Sequence, residues 1–113
     1  MKLWIDDVRQ APEGYIWCKS VYSAKQAIEA RELLDGITWT YDNGVKELLH
    51  PFELIDIDHD AGDCAKFGGD YIKLLDWLEE TGRNYPIRIH SMNPVGRENM
   101  RAIIRRNGWK EIL

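Results

Sequence analysis

Two kinds of hydrophobic run alternate along the chain. Lys2–Ile5, Tyr15–Cys18, Ile37–Tyr41, Phe52–Ile57 and Pro86–Ile89 are short and rich in β-branched or aromatic residues, the signature of strands. The longer stretches between them repeat apolar residues every three or four positions, as helices with one buried face do. Ala24, Ala27, Ile28 and Leu34 mark the first such stretch, capped by Ser20 or Ser23 and closed by Gly36. Asp70–Glu80 is the second, with Ile72, Leu75 and Leu78 near one face and Gly82 at its end. The third starts at Pro94, a residue suited to a first turn, turns Met100, Ile103 and Ile104 inward, and ends at Asn107-Gly108. Trp109–Leu113 is left for a short last strand.

Phe52–Ile57 is almost continuously apolar, as expected inside a parallel sheet covered on both faces. Val45–His50 predicts a short helical turn before Pro51. The Ile37–Pro51 stretch is longer than a helix-to-strand link needs, and its Asn43-Gly44 turn leaves room for an extra hairpin over one sheet edge.

Strands joined by helices of this length predict an α/β fold with a mainly parallel sheet of about five strands. The link from Asp6 to Tyr15 contains a turn at Gln10–Gly14 and is shorter than the dozen or more residues of an ordinary parallel crossover. Either the second strand runs antiparallel at an edge, or the usual first helix is reduced to a loop.

At 113 residues the chain is of single-domain size, so residues 1–113 are expected to share one core. The net charge of -4, without a basic stripe, argues against extended binding to a nucleic-acid backbone. No apolar run approaches the ~20 residues of a membrane span. Two cysteines are too few for a disulfide framework and suit the reducing cytoplasm. The five tryptophans do not cluster with basic residues and are expected to pack.

The chemistry-bearing residues fall where parallel strands end. Asp6-Asp7, Asp58-His59-Asp60 and His90-Ser91 each follow a strand, on the edge where open α/β sheets bind ligands. Any one aspartate is accounted for as a strand end that caps a turn. A pair and a triplet together argue for a site. Two carboxylates ~4 Å apart repel by about 4 kcal/mol at the effective dielectric near a protein surface. A cluster of four therefore calls for shared protons or a divalent cation, and an oxygen-rich set favours magnesium or manganese. Asp6, Asp7 and Asp58 are the candidate ligands, with Asp60 beside them. Asn93-Pro94 opens a helix whose N-terminus attracts anions, and Arg9 and Arg97 are candidate clamps for phosphate oxygens. His90 is a natural general acid or base.

Taken together, Leu3-Trp4-Ile5-Asp6-Asp7-Val8-Arg9, Asp58-His59-Asp60-Ala61-Gly62 and His90-Ser91-Met92-Asn93-Pro94-Val95-Gly96-Arg97-Glu98-Asn99-Met100 resemble the cyclic-phosphate processing receiver-like domain family, over nearly the whole chain. The resemblance implies a receiver-like (flavodoxin-like) three-layer sandwich. Against ordinary receivers, Asp6 and Asp7 match the acidic pair, Asp58 the phosphoacceptor and Ser91 the Ser/Thr after the fourth strand. The receiver lysine has no counterpart: Lys110 stands in an unsuitable place. His59, Asp60 and His90 are additions.

The resulting expectation is a metal-dependent phosphoesterase acting on a cyclic nucleotide or a cyclic-phosphate RNA end. Its proton donors would be His90 or His59, with Asp60, and its phosphate would be held by Arg9, Ser91, Asn93 and Arg97. The alternatives are a signalling receiver phosphorylated on Asp58, and a non-catalytic module that binds a phosphorylated ligand.

Overall fold

The computed structural model describes all 113 residues. Strands β1 (Lys2–Ile5), β2 (Tyr15–Cys18), β5 (Leu54–Ile57) and β6 (Ile87–Ile89) form one sheet in the order β2-β1-β5-β6, every pair parallel. The short link is thus resolved in favour of a parallel β2, with a loop where a first helix would stand. Helices α1 (Val21–Leu33), α2 (Ile72–Glu80) and α3 (Pro94–Asn107) make the remaining crossovers. The fold is receiver-like α/β, with four strands where about five were expected. The last segment contributes only a single parallel bridge between Glu111 and Ile87, because its trace leaves the edge of β6 after one residue. No helix is long and apolar enough to cross a membrane, and Cys18 and Cys64 are both free thiols.

Topology dictates the layering. From β2 to β5 and from β5 to β6 the chain steps in the same direction across the sheet, and right-handed crossovers then place their helices on the same face. That face carries Leu3, Ile5, Cys18, Ile55, Ile57, Ile87 and Ile89, which pack against Val21, Ala24, Ile28, Leu74, Leu75, Leu78, Met100, Ile103 and Ile104 in one buried core. The step from β1 to β2 goes the other way, so its loop crosses the opposite face. There Trp4 Nε1 donates to the Arg9 carbonyl and Trp17 Nε1 to the Asp6 carbonyl. The third layer of the expected sandwich is therefore this loop rather than a helix. β5 is not covered by helices on both faces, and the fully buried Asp56 in its middle belongs to the loop side.

Local signals set the helix limits. Ser20 caps α1 in a capping box with Ser23. Asn93 caps α3, with Oδ1 accepting from Gly96 N–H at 3.0 Å, and Gly108 closes it at φ 67°. Ile72 is only partly buried; Leu74 takes the core position beside Leu75 and Leu78.

The Ile37–Pro51 stretch does hold an extra hairpin, β3 (Thr38–Thr40) with β4 (Lys46–Leu48). The helical turn expected at Val45–His50 is instead a strand, because the Asn43-Gly44 turn reverses the chain and pairs Lys46, Glu47 and Leu48 with Thr40, Trp39 and Thr38. Arg31 of α1 ties the hairpin down through Glu47, at 3.2 Å.

Candidate functional site

The strand register builds the site. Trp17, Trp4, Asp56 and Arg88 are lateral partners across all four strands. Side chains alternate between faces, so this row lies opposite the isoleucine core, over the β1–β2 loop. One pleat further on, the same parity gives Asp6, Asp58 and His90. The ladder continues through these residues: Asp6 N–H donates to the Cys18 carbonyl, Asp58 N–H to that of Ile5 and His90 N–H to that of Ile57. Three residues more than thirty positions apart in sequence thus converge, their ligand atoms all within 4.8 Å of one another.

His90 is held at both ring nitrogens. Nε2 lies 3.0 Å from Asp6 Oδ2 and Nδ1 2.7 Å from Asp56 Oδ1. The Trp4 indole stacks flat on the ring, centroids 3.9 Å apart and planes 4° from parallel. Asp56 accepts in addition from Arg88 Nη1 at 3.0 Å and Tyr15 Oη at 3.3 Å. Asp6 Oδ1 accepts the backbone N–H groups of Val8 and Arg9, each at 2.9 Å. Burial pushes the Asp6 carboxyl up, but those two backbone bonds, with His90, outweigh it and hold the group below its usual range. The Tyr71 phenol, first by burial and then by the negative charges of Asp7, Asp6 and Asp58 and the nearby Cys64, is driven well above its usual value.

These donors suit a divalent cation. Each ring nitrogen of His90 faces a carboxylate oxygen, which accepts hydrogen bonds. A metal ion held by Asp6, Asp58 and His90 would use Nε2, while the buried Asp56 holds the other ring nitrogen, as carboxylates do behind metal-binding histidines. Two carboxylates and one imidazole fit magnesium or manganese.

The remaining expected residues divide around this centre. Asp7 turns to the helix side, against Gly62, where a Cβ would press on its carboxylate and the backbone sits at φ 53°. His59 lies over α3: a Cβ built on Gly96 would come 2.5 Å from its ring, so only glycine admits the histidine. Its Nδ1 pairs with the exposed Asp60 at 2.9 Å, and its backbone N–H donates to Asp58 Oδ1 at 2.7 Å. Ser91 is buried, and its Oγ accepts from Asn93 N–H at 3.1 Å. Ser91 and Asn93 are therefore engaged in shaping the start of α3. Arg9 donates to the His90 carbonyl at 3.2 Å, and Arg9 and Arg97 line one cavity together with His90 and Ser91. Lys110 pairs with the start of β6, at the opposite end of that strand from His90.

Asp56, Trp4, Tyr15 and Arg88 are the site residues that sequence reasoning passed over. The signal was present: Asp56 interrupts Ile55 and Ile57, and Arg88 interrupts Ile87 and Ile89, both at the parity that faces away from the isoleucines.

The chain matches the family described as the cyclic-phosphate processing receiver domain over residues 1–106, and it belongs to that family. No curated protein and no solved structure matches it.

Proposed function

We propose that this member of the cyclic-phosphate processing receivers is a phosphoesterase that opens a cyclic phosphate, in a cyclic nucleotide or at a cyclic-phosphate RNA end. The observation that carries this reading is the Asp56–His90–Asp6 chain set against Asp58, an imidazole fixed between two buried carboxylates beside a third. Asp6, Asp58 and His90 would hold magnesium or manganese, with Asp7 adding negative charge behind them. Such a cation, when bound, supplies an activated water and offsets charge on the phosphate.

The chain's own groups do the rest. Asp56 fixes the His90 ring and its tautomer, and Trp4 holds the ring plane. His59 follows Asp58 directly and has Asp60 on its Nδ1; as the imidazolium, whose charge Asp60 offsets, it gives its Nε2 proton to the departing oxygen and is left neutral. Arg9 and Arg97 bind phosphate oxygens. Ser91 and Asn93 support this binding by setting the helix start. The protein works in the cytoplasm, where both thiols stay reduced. The test is turnover of cyclic nucleotides and cyclic-ended RNA with manganese or magnesium. Activity that survives Asp58→Ala unchanged rejects this site.

A second reading has one observation in its favour: Asp58 is a partly exposed carboxylate ending a central strand beside an acidic pair, as a receiver's phosphoacceptor is. Incubation with a small phosphodonor followed by intact mass measurement separates the two. A stable aspartyl phosphate that Asp58→Asn abolishes favours the receiver; its absence favours the esterase.

A further inference from the structure

Beside the carboxylate centre lies a cavity of about 400 Å³, in the size range of small-ligand sites. Neither Asp6 nor Asp58 lines it. Its charged side chains are four arginines, Arg9, Arg88, Arg97 and Arg101, and one acidic residue, Glu111. This reverses the sign of a chain whose net charge is -4. The four cations differ in what they already hold. Arg88 is paired with Asp56. Arg101 gives Nε to Glu111 at 2.9 Å and Nη1 to Glu98 at 3.3 Å, leaving Nη2 without a carboxylate. Arg9 has only a carbonyl partner. Arg97 Nε is buried with no partner at all. A desolvated guanidinium donor left unpaired costs free energy until an acceptor reaches it.

We infer that this cavity holds two phosphates in succession, the cyclic phosphate at Arg9 and Arg97 and, at a second anion subsite on Arg101, the phosphodiester next to it, so that the ligand is a cyclic-phosphate-ended oligonucleotide rather than a mononucleotide. The inference rests on the phosphoesterase reading for the position of the first phosphate. Its own ground is geometric. His90 belongs both to the carboxylate centre and to the lining of the cavity, so the two sites adjoin at this residue. Arg97 and Arg101 stand one helical turn apart on α3, about 6 Å along the axis, and offer successive stations to a chain of phosphates. The planar guanidinium fork matches phosphate oxygens two at a time.

The experiment is calorimetric titration of metal-free protein with a nucleoside 2′,3′-cyclic phosphate and with the dinucleotide that ends in the same group. The dinucleotide is expected to bind at least tenfold more tightly. That preference should fall below threefold in Arg101→Ala and grow in Glu111→Gln, which frees Arg101 from its resident carboxylate; thermal melts establish that both variants are folded. Equal affinities in the wild type, no binding of either compound, or a preference that Arg101→Ala leaves intact overturns the subsite. Because the titration contains no metal and reads no turnover, absent hydrolysis would defeat the phosphoesterase and leave the subsite standing. Equal affinities would do the reverse.

Discussion

Asp56→Asn is the most informative single change, because it alters one charge at constant shape in the middle of the sheet. The wild-type carboxylate is completely buried and accepts three hydrogen bonds, from His90, Arg88 and Tyr15. An asparagine oxygen can keep one or two of these, but the negative charge that Arg88 and the His90 ring face is gone. Breaking a buried ion pair costs about 3–5 kcal/mol when the partner is left stranded. The Arg88 side chain is 43% exposed and can turn to water, whereas that of His90 is 6% exposed and cannot. The loss therefore falls mainly on the His90 bond, and a charge-assisted hydrogen bond is worth about 1.5–3 kcal/mol. For a domain of this size, that corresponds to a fall in Tm of roughly 6–15 °C.

Thermal unfolding of Asp56→Asn, His90→Asn and the double variant forms a cycle that isolates the contact, with an expected coupling of more than about 1 kcal/mol. Manganese affinity, measured on the same proteins, should drop about 10–100-fold in Asp56→Asn, the usual effect of losing the group behind a metal-binding histidine. Additive stabilities together with unchanged manganese affinity would refute the claim that Asp56 organises the site.

Other outcomes follow from the same geometry. Gly96→Ala, which in an exposed helix interior would stabilise by about 1 kcal/mol, is expected here to destabilise by about 1–3 kcal/mol because the new methyl meets the His59 ring; denaturant unfolding reads the sign, and a His59→Ala background should restore the gain. Manganese should raise the wild-type Tm in a concentration-dependent way, and Asp58→Ala should abolish that rise; scanning fluorimetry in a metal series is the check. Glu32 is pushed up by burial, but Arg83 and Tyr85 pull it below its ordinary value, so its ionised form stabilises the fold above the unfolded value of about 4.3. That contribution is lost as pH falls through the lowered folded value, so wild type should exceed Glu32→Gln by about 1 kcal/mol at pH 7 and converge with it only once the pH is below that lowered value, as urea unfolding across pH would show.

The geometry explains how so small a fold supports a crowded acidic centre. The helices gather on one face, which frees the other to carry polar side chains in register, and the loop that replaces a first helix brings the Val8 and Arg9 N–H groups onto Asp6. Stacking by Trp4 and the paired carboxylates hold His90 without help from a helix. The arginine-lined cavity beside it then sets a positively charged pocket next to a carboxylate cluster that could hold a cation.

Much of this was legible in the chain itself, because the signals are local. Isoleucine-rich runs make strands, Ser20 and Asn93 cap helices through bonds that span only three residues, and aspartates or histidines that follow a strand mark the ligand edge whatever the strand order. Distances between segments are not local. That Asp6, Asp58 and His90 form one row while Asp7, His59 and Ser91 turn to the helix side depends on the register between strands, which sequence-distant pairing sets. Asp56 was concealed by its apolar neighbours, and only the placement of all three helices on one face shows that its side chain belongs to the site rather than the core. Composition and capping therefore settled which elements exist and where chemistry begins; handed crossovers and strand pairing settled which side chains meet, since a contact between residues eighty positions apart has no energy until the sheet has formed.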